Sequence, residues 1–110
     1  MPNGTFRIYN TRTGKIAELD PLHPNRINVF VCGPTVYDFS HLGHARTYIM
    51  FDALIKYLRF KGYQVFYIMN VTDLDDKIIS RASETGEDSQ TLAERFFDLF
   101  LEDMKSLGIN

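Results

Sequence analysis

Between residues 31 and 44 the chain reads Val-Cys-Gly-Pro-Thr-Val-Tyr-Asp-Phe-Ser-His-Leu-Gly-His, a stretch that holds its single cysteine and two of its three histidines. Cys32 offers a thiol, a ligand for soft or borderline metals. His41 and His44 flank Gly43 where a helix should open. The unpaired N–H groups of a helix start, at the positive end of its dipole, attract phosphate. Gly43 lets a ligand approach the backbone, and two imidazoles can follow charge developing on a pentacovalent phosphorus. A second segment, Asn70-Val-Thr-Asp-Leu-Asp-Asp76, puts an amide, a hydroxyl and carboxylates at the end of another apolar run.

Each of these has a plainer reading. Two histidines near a helix start can be coincidence. A lone cysteine in a β-branched run is more often a small core residue than a ligand. A structural zinc needs four ligands, so Cys32 could bind one only with His41, His44 or residues outside this chain. The carboxylates after Asn70 read better as complements to a helix dipole than as a metal cluster, with Thr72 as N-cap or as a hydroxyl turned to a ligand. The Tyr and Phe residues at positions 48, 51, 57, 60, 63, 66 and 67 read as core and strand faces. Neither Gly-x-Gly-x-x-Gly nor the P-loop pattern occurs, so dinucleotide and P-loop readings lack their motifs.

The elements that must position these groups follow from periodicity. Phe6–Thr11 alternates as a short strand, Thr13-Gly14 turns the chain, and Lys15–Leu19 returns, a hairpin expected against the edge of a sheet. Pro21 and Pro24 make the next stretch a loop. Ile27–Cys32 is a continuous β-branched and aromatic run, as in a parallel strand covered on both faces. From about Gly43 to Lys61 the period becomes helical, with Phe51, Leu54, Ile55 and Leu58 on one face and Gly62 as the stop. Gln64–Asn70 is a second buried strand. Strand, helix and strand make a βαβ unit. The rest is helical: Asp73–Glu84, a break at Gly86, then a helix opening near Thr91. Thr91 and Glu94 are placed for a capping box, and Leu92, Phe96, Leu99 and Phe100 form its apolar stripe up to Gly108. The fold class is α/β, the first half of a nucleotide-binding fold. Ligands of such sheets bind at the carboxyl ends of the strands, where both candidate segments lie.

Composition sets the outer limits. The chain has 110 residues, one domain's worth and small for an enzyme with several substrates. Its 45% hydrophobic content is that of a globular protein. No apolar run reaches the ~20 residues of a membrane span, and the first residues carry no apolar leader core. A single cysteine excludes an internal disulfide and fits a reducing cytoplasm, the expected location. A net charge of −2 gives no electrostatic reason for a nucleic-acid surface within these residues.

Taken together, Tyr-Asn-Thr at 9–11, Val-Cys-Gly-Pro-Thr-Val-Tyr-Asp at 31–38, His-Leu-Gly-His at 41–44, Arg46-Thr-Tyr, Tyr57-Leu-Arg-Phe and Asn70-Val-Thr-Asp-Leu-Asp-Asp-Lys-Ile-Ile resemble the N-terminal part of the cysteinyl-tRNA synthetases, class I aminoacyl-tRNA synthetases. Leu42 stands where the family more commonly has Ile. The resemblance implies the N-terminal half of a Rossmann-like catalytic domain over residues 1–110, in a chain that reads as truncated. It implies a cysteine–tRNA ligase: L-cysteine is activated with Mg-ATP to cysteinyl-adenylate and passed to tRNA(Cys). His41, Gly43 and His44 match the positions at the ATP phosphates. Cys32, Gly33, Pro34, Thr35, Thr47, Asn70, Val71 and Thr72 match those lining the cysteine and adenylate pocket. Cys32 also matches one ligand of a zinc that binds the substrate thiolate, the other ligands lying outside this chain. Such a metal would separate cysteine from serine, which an ordinary pocket rejects by only a few kcal/mol.

Three other readings remain open on the sequence. A cysteine ligase of mycothiol synthesis shares the adenylation half; Arg46 and the Tyr57-Leu-Arg-Phe run favour the synthetase. A general nucleotidyl transferase leaves Cys32 and the Asn70–Ile79 run unexplained. A non-catalytic nucleotide- or cysteine-binding module is the third. The 110 residues alone are expected neither to aminoacylate tRNA nor to hold zinc tightly. A half-built sheet with one bare face is expected to favour self-association.

Overall fold

The β-branched run before Cys32 and the one before Asn70 pair with each other, and this parallel pair positions everything else. In the computed structural model, which describes residues 5–110, β3 (Arg26–Val31) lies parallel to β4 (Gln64–Met69), in register from Arg26 opposite Gln64 to Val31 opposite Met69. Between them runs α1 (Leu42–Phe60), which ends at Lys61 before Gly62 in a positive-φ conformation that glycine adopts without strain. The βαβ unit is therefore as the periodicity requires. The reading of a leaderless N-terminus rests in part on residues 1–4, outside the described residues.

The hairpin of β1 (Arg7–Asn10) and β2 (Lys15–Glu18) forms, but as its own two-stranded sheet rather than on an edge of the parallel pair. Phe6, just before it, meets Tyr57 of α1 with ring centroids 5.8 Å apart. Every residue of its two strands is exposed, so the hairpin presses no face on the parallel pair, and the Phe6 ring beside it meets α1.

After β4 come α2 (Asp76–Thr85) and α3 (Ser89–Ser106). Both begin differently from the sequence expectation. Asp75, not Thr72, caps α2, accepting from the Lys77 N–H at 2.8 Å. Asp88, not Thr91, caps α3, accepting from the Thr91 N–H at 3.2 Å, and Glu94 is held instead by the Gln90 amide. In both cases an aspartate closer to the turn outcompetes a hydroxyl: the carboxylate is the stronger acceptor and also complements the dipole. The carboxylates after Asn70 thus serve a helix start, through a different residue.

The core lies on one side of the parallel pair, and α3 runs through both of its clusters. Its first half packs Leu92, Ala93 and Phe96 on Ile78 of α2 and on Val36; its second half packs Phe100 and Met104 on Val31 of β3 and Tyr48 of α1. Leu99, on the expected stripe, packs against the first cluster. The other face of the pair is bare. Phe30 is 64% and Phe66 60% exposed, and Ile68 is exposed beside them. Continuous apolarity in β3 and β4 therefore does not mean cover on both faces here, because α1 and α3 both contribute to the same side. Phe60, too, lies outside the core at 84% exposed, and Tyr57 is exposed. The radius of gyration, 17.3 Å against about 13 Å for a compact chain of this length, reflects the separate hairpin and the narrow sheet. Among the described residues no helix is long and apolar enough to cross a membrane.

Candidate functional site

The loops leaving β3 and β4 are stitched together at the carboxyl edge of the pair. The Gly33 N–H donates to Asn70 Oδ1 at 2.7 Å, the Thr72 N–H to the Pro34 carbonyl at 3.0 Å, and the Val36 N–H to the Thr72 carbonyl at 3.2 Å. Thr35 and Thr72 form an isolated parallel bridge, so the ladder resumes past the strand ends. Pro34 has no N–H to give, but its carbonyl still accepts. The Asn70 side chain takes the N–H that the interrupted ladder leaves over. Thr72 is thus a pairing residue, not a cap. Gly33 is required sterically: a Cβ there would collide with the Asn70 backbone carbonyl and lie 2.9 Å from Met69 Cγ.

This stitching brings Gly33, Pro34, Thr35, Asn70, Val71 and Thr72 into one wall. Pro34 is buried, and Val71 packs against the Val36–Ile78–Leu92 cluster. Cys32, one residue past β3, is exposed and free, which removes its reading as a core residue. Its carbonyl lies 3.5 Å from the hydroxyl of Tyr48, a long contact that links the strand end to α1. Burial raises the Tyr48 phenol above its ordinary range, with smaller contributions from Cys32 and Tyr67, so Tyr48 stays a protonated donor. Tyr48 is a core residue as expected; its contact with the strand end had no signal in the sequence.

Helix α1 opens on the two histidines. His41 is the N-cap, and its Nδ1 accepts from the Gly43 N–H at 3.0 Å. The His41 N–H donates to Nδ1 of His44 at 3.2 Å, a reciprocal capping box built from imidazoles. The rings stack with centroids 3.9 Å apart and 22° between planes. Partial burial lowers the pKa of His44 below its ordinary value, and the His41 ring lowers it further. Thr47, exposed on the next turn, donates its hydroxyl to the Gly43 carbonyl at 3.0 Å. Arg46 is also exposed on this helix.

One side of the His41 end opens on a cleft of about 530 Å³, lined also by Ser40, Ala45, Asp103 and Met104. Asp103 comes from the far end of α3, and no local pattern could have placed it beside His41. The metal reading fares differently. Among the described residues no group of three or more His, Cys, Asp or Glu side chains could hold an ion, so Cys32 does not join His41 and His44 in a site. One exposed thiol does not make a four-coordinate zinc site.

The arrangement can receive a phosphate-bearing ligand at the start of α1, with two imidazoles in reach. A small polar group would then meet the wall formed by the β3 and β4 loops. Comparison with known proteins bears on which ligand. The family model described as the tRNA synthetases class I (C) catalytic domain matches residues 18–110. A protein of Thermococcus gammatolerans named cysteine–tRNA ligase is 60% identical over 104 residues, covering 94% of this chain and 22% of the relative. One of the same name from Pyrococcus horikoshii is 58% identical over 105 residues, covering 96% and 22%. A third, from Desulfotalea psychrophila, is 52% identical over 103 residues, covering 94% and 21%. The chain thus spans about a fifth of the length of the curated relatives it matches.

Proposed function

Because the chain belongs to the class I (C) tRNA synthetase catalytic-domain family, we propose that residues 1–110 form the N-terminal part of the catalytic domain of a cytoplasmic cysteine–tRNA ligase. The enzyme would activate L-cysteine with Mg-ATP and pass it to tRNA(Cys). The observation that carries this reading is the joining of the β3 and β4 loops by the Gly33–Asn70 hydrogen bond beside a histidine-capped helix start. A site for an amino acid and a site for a triphosphate then share one edge.

In this reading His41, Gly43 and His44 hold the phosphates of ATP. Cys32, Gly33, Pro34, Thr35, Thr47, Asn70, Val71 and Thr72 line the pocket for cysteine and its adenylate. An oxygen of the cysteine carboxylate attacks the α-phosphorus; the bond from that phosphorus to its bridging oxygen breaks, and pyrophosphate leaves. A hydroxyl of the terminal ribose of the tRNA then attacks the acyl carbon, AMP leaves, and the hydroxyl proton goes to solvent. Neither step needs a nucleophile from the protein, so catalysis here is positioning and stabilisation of charge on the phosphates. Zinc in the whole enzyme would take Cys32 as one thiolate ligand and would need the others from outside the described residues.

The test is a chimera in which these residues replace the matched segment of the Pyrococcus horikoshii relative. Cysteine-dependent exchange of pyrophosphate into ATP, and cysteinylation of tRNA, are the expected activities. A chimera that folds like its parent yet shows neither, beside an active parent, would overturn the proposal.

A further inference from the structure

We propose that His41 and His44 lock each other into one tautomer, with the proton of each ring on Nε2, and that Gly43 is the positioning residue that makes the lock possible. The assignment stands on the hydrogen-bond geometry; only its use towards a triphosphate rests on the proposed function. Nδ1 of His41 faces the Gly43 N–H at 3.0 Å, and Nδ1 of His44 faces the His41 N–H at 3.2 Å. Each Nδ1 is therefore committed as an acceptor. A proton on either would set donor against donor and open the box. The neutral ring then carries its hydrogen on Nε2, so each histidine presents a neutral N–H donor away from the helix start.

The surroundings reinforce the neutral form. The rings stack 3.9 Å apart at the positive end of the α1 dipole, where a second charge is disfavoured. The Tyr48 ring, on the same helix, has its centroid 6.3 Å from that of His44, and Arg46 is two positions on from His44 in the chain. Asp103, from α3, lines the cleft beside His41; among the described residues it is the one carboxylate lining it, and no ion pair joins it to either histidine. Gly43 enters through space, not through its own flexibility. A Cβ at this position would lie 2.8 Å from Cε1 and 2.9 Å from Nδ1 of His41, so over a residue with a side chain the imidazole must shift from the position in which it caps the helix. Gly43 thus serves the phosphate site through His41 as well as by leaving the backbone open.

Long-range ¹H–¹⁵N correlation NMR of the imidazoles reads the tautomers directly, at neutral pH and without ATP. Both rings are expected to show a protonated Nε2 and a pyridine-like Nδ1, with the two nitrogens of each ring well separated in shift. Gly43→Ala is expected to bring the two His41 nitrogens to averaged shifts while the far-ultraviolet helix signal is retained. A protonated Nδ1 or averaged nitrogens at either ring of the unaltered chain would overturn the lock. An unchanged His41 spectrum in Gly43→Ala would overturn the role of Gly43. Should that variant unfold, the spectrum of the unaltered chain still decides the tautomers, and His41→Asn against His41→Gln decides the cap: only Asn keeps an acceptor at the Nδ1 position and the stability that goes with it. Equal loss in both would overturn the capping role. None of these results depends on whether the chimera is active.

Discussion

Gly33→Ala is the substitution that presses hardest on the wall between the two strand ends. The added Cβ meets the Asn70 backbone carbonyl, and backbone cannot swing aside as a side chain can. To restore an ordinary C···O separation of about 3.3 Å the loops must part by about 1.5 Å. That displacement weakens the bonds from Gly33 to Asn70 Oδ1 at 2.7 Å, from Thr72 to Pro34 at 3.0 Å and from Val36 to Thr72 at 3.2 Å. At about 1 kcal/mol for each of the three bonds, with about 1–3 kcal/mol for the overpacking, the loss is about 4–6 kcal/mol. Against a total stability of roughly 5–15 kcal/mol that is a large share. With an m-value of about 1.5 kcal/mol/M, urea unfolding followed by circular dichroism should show the midpoint fall by about 3–4 M. Asn70→Ala is the control: it removes one acceptor without a clash and should cost about 1 kcal/mol. If Gly33→Ala cost no more than Asn70→Ala, the close approach of the two loops would be refuted, and with it the shared wall of the site.

Leu92→Ala should destabilise the chain by about 2–5 kcal/mol in the same urea assay, since Leu92 is fully buried among Val36, Ile78, Ala93 and Phe96 and its truncation leaves a cavity there. Asp88→Ala should cost about 1 kcal/mol and Thr91→Ala clearly less, because Asp88 holds the first turn of α3; the reverse order would restore Thr91 as the cap. The lowered pKa of His44 predicts a pH dependence of definite sign. Between that folded value and its ordinary 6.5 the unfolded chain binds more protons, so stability rises with pH. The His44 contribution is fully present above about 6.5 and is lost as pH falls through that value towards the folded one. Urea midpoints across this range should slope upward with pH, and His44→Asn should flatten the slope; an unchanged slope in the variant would refute the assignment.

The elements were legible because their signals are local. A β-branched run, a helical period ending at Gly62 and a second β-branched run give β3, α1 and β4 within a residue or so of their observed ends. The parallel pairing follows from the helix between the strands. The histidine-flanked helix start could be read from spacing alone, and the resemblance carried by the separate segments pointed to the family that the comparison then showed. The helix caps were less legible, since Thr72 and Asp75, or Asp88 and Thr91, are close competitors that differ only in how the preceding loop is held.

What the sequence determined by itself, then, is the order of elements, their class and the edge of the sheet where ligands should meet. What only the tertiary structure decided is which groups face one another there. Gly33 meets Asn70 across 37 positions of chain, Asp103 arrives beside His41 from the far end of α3, and Cys32 proves to be exposed and, among the described residues, outside any group of three or more metal-ligating side chains. The bare face holding Phe30 and Phe66 belongs to the same class, because cover depends on where α1 and α3 settle and not on how apolar the strands are. Periodicity reports which side of an element is apolar. Which atom comes within hydrogen-bond reach of another is set by packing, and packing is summed over contacts distant in sequence.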